Sequence, residues 1–183
     1  MSDNKKTTLF DIDGILRKIT IEEGRKVAEL GCGNFGFFVW PLAKLVGRRG
    51  NVYAVDILKS TLEEIKRQAL KDNLPQVKTI WSNLELFKAT DIETSSLDCA
   101  LLVNVLYQSD KRTDIIREAV RLLKRNGKLL IVEWGDSDSP LGPSLEKRVK
   151  LESLKLAAPK LGLDTKESFV AGPYHYGIIL TKL

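Results

Sequence analysis

Short apolar runs alternate with longer amphipathic stretches along the whole 183-residue chain. A brief apolar run bounded by turn formers predicts a buried strand, and apolar positions three and four apart predict one face of a helix. On that basis Lys26–Leu30, which ends in glycines, is the first strand. Asn51–Val55, leading to Asp56, is the second, and Val77–Trp81 the third. Leu97–Val105 (LDCALLVNV) is apolar at nearly every position, the pattern of a strand covered on both faces. Gly127 leads into a fifth strand, Lys128–Trp134. Helical periodicity predicts helices over 9–19, 39–46, 60 to about 72, 110–125 and 145–161. Pro41 is tolerated in the first turn of the second helix, and Gly47 stops it. Ser60 and Glu63 have the spacing of a capping box for the third. The loop DSDSPLGPS (136–144) precedes the last helix. Two strand-like runs, 164–171 and 175–182, close the chain, and their short GPY connection makes them antiparallel neighbours.

Alternating strands and helices predict an α/β fold, a three-layer sandwich around a doubly wound, mostly parallel sheet. Ligands of such sheets bind beyond the carboxyl ends of the strands, where strand order reverses. The pattern shows no internal repeat and no linker, so a single domain over 1–183 is expected, with 1–24 as a short helical extension. The composition, 43% hydrophobic and 29% charged, is that of an ordinary globular chain. No apolar run is long enough to span a membrane, and the first residues, MSDNKKTTLF, lack a signal-peptide core. A cytoplasmic location is expected. Cys32 and Cys99 have neither paired nor metal-ligand spacing, which predicts buried thiols and no metal. The net charge of +5 is spread along the chain, as on a solvated surface.

The chemistry concentrates in Val27–Phe38, VAELGCGNFGFF. Gly31, Gly33 and Gly36 form G-x-G-x-x-G between a strand and a helix, and Asp56 follows Gly36 by twenty residues. That spacing fits a nicotinamide dinucleotide as well as S-adenosylmethionine. Three features favour the second. Glu29 stands two residues before the first glycine, where it would repel a pyrophosphate but suits an ammonium and a sulfonium. The chain leaves no room for a separate substrate domain. The C-terminal strands form a hairpin rather than another strand–helix–strand unit.

Several segments together resemble class I, Rossmann-like S-adenosylmethionine-dependent methyltransferases. ELGCGNFG is similar to their first motif, VYAVDI with Asp56 to the second, and SNLE (82–85) to the third. DCALLVNVLYQ resembles their fourth strand, and KRNGKLLIVEW their approach to the fifth. Within that group the chain is most similar to the small ubiquinone/menaquinone-biosynthesis type. The resemblance implies a seven-stranded sheet of order 3-2-1-4-5-7-6 with an antiparallel C-terminal strand. It implies S-adenosylmethionine as cofactor, held by Glu29, Gly31, Gly33, Asp56, Ile57, Asn83, Leu84 and Asn104. Gly31 and Gly33 would admit the methionine end, Asp56 both ribose hydroxyls, Ile57 the adenine face, and Asn83 with Leu84 the adenine edge. Two departures stand out: the third glycine falls one position late, at Gly36, and Asn83 replaces a common aspartate.

Methyl transfer needs alignment, and a base only if the acceptor arrives protonated. The candidates for a base are Tyr107, Glu133, Tyr174 and His175, the only histidine. Trp134 could stack on a flat acceptor or close the core. No Asn/Asp-Pro-Pro-Tyr follows the fourth strand, which argues against methylation of a base amine. A small-molecule acceptor is expected in a shallow pocket completed by the first helix, a homodimer partner or the substrate itself. The alternatives are an RNA or protein acceptor, through basic residues of the 145–161 helix (Lys147, Arg148, Lys150, Lys155, Lys160), and a non-catalytic S-adenosylmethionine-binding module. An NAD-dependent oxidoreductase is the remaining one.

Overall fold

The computed structural model describes residues 11–137, 139 and 141–183. Helix α1 (Ile12–Ile19) opens this part; residues 9 and 10 of the expected helix lie outside the described residues. Asp11 caps it, its Oδ1 accepting the Gly14 N–H at 2.9 Å, and Ile15, Leu16 and Ile19 are buried. There follow β1 (Lys26–Leu30), α2 (Val39–Val46), β2 (Asn51–Asp56), α3 (Lys59–Lys71), β3 (Val77–Trp81) and β4 (Leu97–Val103). The chain continues through α4 (Arg112–Leu122), β5 (Leu123–Trp134), α5 (Leu151–Ala157), β6 (Leu163–Gly172) and β7 (His175–Lys182).

The seven strands lie in the order β3-β2-β1-β4-β5-β7-β6. The first five pair in parallel, and β7 runs antiparallel to both β5 and β6, as the sequence led us to expect. Two cores sandwich the sheet. Ile15, Phe38, Leu42 and Ile65 bring α1, α2 and α3 to one face, while Ile116, Ala119 and Leu154 bring α4 and α5 to the other. β4 lies between β1 and β5 and is covered on both sides, which accounts for its unbroken apolar run. Strand order reverses at β1, between β2 and β4, so the crevice expected for a ligand opens beyond the ends of these strands.

Several boundaries differ from expectation. Ser60 does not cap α3: the helix begins at Lys59, and no side chain of the preceding Leu58 caps it. Asp56 takes over locally, its Oδ1 accepting the Leu58 N–H at 2.9 Å in an Asx turn. β4 ends at Val103, because Asn104 turns left-handed at φ +55°. β5 starts earlier, at Leu123, since Leu97 pairs with Leu123 before an irregularity in register.

The expected 145–161 helix is broken into three pieces. A 3-10 turn (Leu145–Lys147), extended backbone around Arg148–Lys150, α5 and a second 3-10 turn (Pro159–Leu161) replace it. Burial of Arg148 explains the break. Its guanidinium donates to the carbonyls of Gly135 (2.5 Å), Ser137 (2.7 Å) and Pro143 (3.1 Å), which holds the backbone out of helical register. Pro159 has no N–H with which to continue α5.

Candidate active site

The glycine loop turns sharply because β1 ends against β2. Gly31 and Cys32 both donate their N–H to the Val55 carbonyl, at 2.8 and 3.0 Å. Gly31 (φ +81°) and Gly33 (φ +61°) are left-handed, a conformation glycine adopts without steric cost. A Cβ on Gly31 would also meet Val105 Cγ2 at 2.6 Å, whereas one on Gly33 would meet nothing within 4 Å. Gly31→Ala should therefore destabilise the fold by about 2–4 kcal/mol and Gly33→Ala by only about 1 kcal/mol. Thermal melts of the two variants check this, and equal losses would contradict it.

Asp56 ties the site together. Its Oδ2 accepts the Gly33 N–H at 2.9 Å while Oδ1 holds Leu58, so one carboxylate braces both the glycine loop and the turn into α3. Asn34 Oδ1 accepts the Thr61 hydroxyl at 2.8 Å and links the same two segments a second time. Beyond Asp56 the Ser82 N–H bonds the Asp56 carbonyl, which draws in the loop after β3. A cavity of about 390 Å³ opens between these loops. Gly31, Gly33, Asp56, Ile57, Asn83 and Leu84 line it, six of the eight residues predicted to hold the cofactor. Asn83 Oδ1 accepts the Glu85 N–H at 3.0 Å and retains a lone pair and two amide hydrogens for a ligand.

Glu29 and Asn104 are not among the lining residues. Glu29 is buried at the end of β1, where the N–H groups of Phe38 and Val39 at the start of α2 bond its carboxylate. Its Oε2 has no partner. Burial, and to a smaller degree the charge of Asp56, raises its pKa well above the usual carboxylate range. Asn104 lies at the end of β4, its Nδ2 3.2 Å from His175 Nε2, and its Oδ1 is buried without a partner.

The structure separates the candidate bases. Glu133 is fully buried at the end of β5, and its Oε1 accepts the Leu106 N–H at 2.6 Å. Burial raises its pKa to about 7, against the opposing N–H bonds from Leu106 and Tyr107. Tyr107 is partly buried against the core beside α4, and burial with the Glu133 charge raises its hydroxyl pKa. His175 pairs with Trp134 across β5 and β7, the rings 4.1 Å apart. Burial, then the Arg148 charge, lowers its pKa to about 4, so the ring is neutral at pH 7. Tyr174 lends a backbone carbonyl to the Gly135 N–H. None of these four lines the cavity.

Sequence reasoning missed Glu85, Val105, Gln108 and Ser109, which line the cavity along with Asn34, Leu58, Ser82 and Ile115. Ser109 donates its hydroxyl to Glu85 Oε1 at 2.7 Å and so joins the loop after β3 to the one after β4. Their only signal was position, just beyond strand ends on the ligand-binding edge. Among the described residues no group of histidine, cysteine and carboxylate side chains could hold a metal.

A family model for the methyltransferase domain matches residues 28–131. The chain belongs to that family, and its sheet is that of the class I S-adenosylmethionine-dependent methyltransferases. Curated relatives include the ubiquinone/menaquinone biosynthesis C-methyltransferases UbiE of Shewanella sediminis and Pasteurella multocida. They are 30% and 28% identical over 160 residues, covering 84% of this chain and 60% and 56% of theirs. The chain thus spans at most about 60% of the length of these relatives. Among solved structures, a SAM-dependent methyltransferase from Aquifex aeolicus superposes with a TM-score of 0.87 at 22% identity, over 99% of this chain and 94% of that one. A putative type 11 methyltransferase from Sulfolobus solfataricus gives 0.73 at 26% identity, over 96% and 95%.

Proposed function

We propose that this chain transfers a methyl group from S-adenosylmethionine to a small-molecule acceptor. The observation that carries the reading is Asp56, a strand-end carboxylate that braces the glycine loop and faces the cavity at once. Each of its oxygens takes one backbone N–H, and Oδ2 also meets the weak Cys32 S–H donor at 4.0 Å, which a ribose hydroxyl can displace, so the carboxylate can serve both hydroxyls of a ribose. Ile57 and Leu84 offer apolar surface to a purine, and Asn83 offers polar groups to its edge. Glu29 acts from beneath the loop: burial alone favours its neutral form, and an ammonium bound at the end of β1 beside its unpartnered Oε2 would draw out the ionised form, whereas a pyrophosphate would oppose it.

Bound there, S-adenosylmethionine supplies a sulfonium-activated methyl group for in-line displacement. The chain's own residues supply alignment and exclusion of water, effects worth about 7–11 kcal/mol in well-oriented systems. In this reading Asn104, at the end of β4 though outside the cavity lining, positions the reacting end. Glu133 acts through the Leu106 backbone as a brace for the loop after β4. None of the four candidate bases lines the cavity, so no base is assigned to the transfer. The relatives named for C-methylation in ubiquinone and menaquinone biosynthesis support a small acceptor. Loss of the continuous basic helix, with Arg148 buried, weakens the case for RNA.

Calorimetry tests the reading directly. S-adenosylhomocysteine should bind and NAD should not; tight NAD binding without S-adenosylhomocysteine binding would sink the proposal. Single turnover with labelled methyl donor, offered a small-metabolite extract or RNA, then separates the acceptor classes and exposes a non-catalytic module.

A further inference from the structure

Large apolar side chains stand exposed around the mouth of the cavity. They are Phe35 and Phe37 in the glycine loop, Ile57 and Leu58 after β2, Trp81 at the end of β3, and Leu86 with Phe87 beyond it; each is more than half exposed. Ile57 and Leu58 line the cavity themselves, while Phe35, Trp81 and Leu86 directly adjoin the lining residues Asn34, Ser82 and Glu85. One rim therefore gathers them. The Phe35 and Phe37 rings lie 5.3 Å apart, and the Trp81 indole N–H donates to the Ile57 carbonyl at 2.9 Å. Half-exposed side chains of this size present, together, on the order of several hundred Å² of apolar surface, the scale that marks an interaction site.

Charge on the rim indicates what it meets. None of residues 35–37, 57–59, 81 and 86–88 is acidic, while Lys59 and Lys88 are basic. The Lys59 ammonium lies 5.6 Å from the Trp81 ring centre and the Lys88 ammonium 5.8 Å from that of Phe87. Glu85, the carboxylate next to Leu86 on the rim, is countered by Lys111 at 3.6 Å. Aromatic tips from separate loops, two of them beside an ammonium, match the layering of a bilayer interface: rings at headgroup depth and lysines at the phosphates. The Trp81 indole already has its hydrogen bond, so its ring leaves water with no polar group stranded. A formal charge of +5 attracts the whole chain to an anionic surface.

We propose that the rim around the cavity docks onto an anionic lipid bilayer, which turns the mouth of the cavity toward the membrane. The test is co-sedimentation of the full chain with phosphatidylcholine vesicles, with and without phosphatidylglycerol, at low and high salt. Binding should require phosphatidylglycerol and fall with salt. Lys59→Glu with Lys88→Glu should weaken it on the order of 10- to 100-fold. Phe35→Ser with Phe37→Ser should weaken it at least about tenfold. Both double variants should retain S-adenosylhomocysteine affinity and wild-type melting, which shows that they are folded. No sedimentation with phosphatidylglycerol vesicles overturns the proposal. So does a dimer by light scattering that Phe35→Ser with Phe37→Ser converts to monomer, because the rim would then be covered by a second copy.

Discussion

Asp56→Ala should abolish S-adenosylhomocysteine binding at concentrations where the wild type saturates. The carboxylate holds two backbone N–H groups, each a charge-assisted bond worth about 1.5–3 kcal/mol, and removing it loosens the glycine loop and the turn into α3 together. The proposed ribose bonds go with it. The combined loss in affinity is on the order of 10²–10⁴-fold. Asp56→Asn is the sharper probe. Its amide keeps one acceptor oxygen but turns an NH₂ group toward the second backbone donor, so an intermediate loss, about 10- to 100-fold, is expected. Calorimetry on both variants, with circular dichroism to confirm folding, measures the effect. An affinity for Asp56→Ala within about threefold of wild type would remove Asp56 from the site.

The part of the fold legible in the sequence was the part dictated by local pattern. β4 advertised its central position because burial on both faces leaves no place for a polar residue between Cys99 and Val103. The hairpin of β6 and β7 was readable from the short Gly-Pro-Tyr connection. Asp56 was legible because its strand-end position and its distance from the glycines are both sequence properties. Contacts between distant segments were not legible. Nothing near Arg148 indicates that the carbonyls of Gly135, Ser137 and Pro143 will gather around its guanidinium and break a helix that periodicity favours. Ser60 satisfied the capping rule, but Asp56 reached the turn first from a strand that the sheet had already fixed in place. The rim of exposed aromatics was present in the sequence as scattered residues, and only convergence of three connecting segments on one edge of the sheet makes it a surface. Glu133 shows the same limit in chemical terms: a glutamate at the end of a strand reads as a base facing a ligand, yet its Oε1 holds the Leu106 N–H.

Removing that glutamate gives the other large expected effect. Glu133→Ala leaves the buried N–H groups of Leu106 and Tyr107 without the acceptor they now share, which should cost about 2–4 kcal/mol. It should also weaken S-adenosylhomocysteine binding, since the loosened turn carries Gln108, a lining residue. Glu133→Gln separates bracing from charge, because the amide oxygen can still accept from Leu106. Burial raises the folded-state pKa of Glu133 from the ordinary 4.5 to about 7, so the folded chain binds this proton more tightly than the unfolded chain does. Although His175, with its folded-state pKa lowered to about 4, acts in the opposite sense below about pH 6.5 in wild type and variant alike, the contribution of Glu133 itself falls by about 2–3 kcal/mol as pH rises from about 4.5 to 7 and levels off above. Glu29, shifted in the same direction, adds its own share and keeps it in the variant. The melting temperature of wild type relative to Glu133→Gln should therefore fall by about 4–8 °C between pH 5 and 8. Superposed curves would show that Glu133 does not titrate in this range, and a loss of turnover in Glu133→Gln with melting and cofactor affinity intact would return it to the role of base.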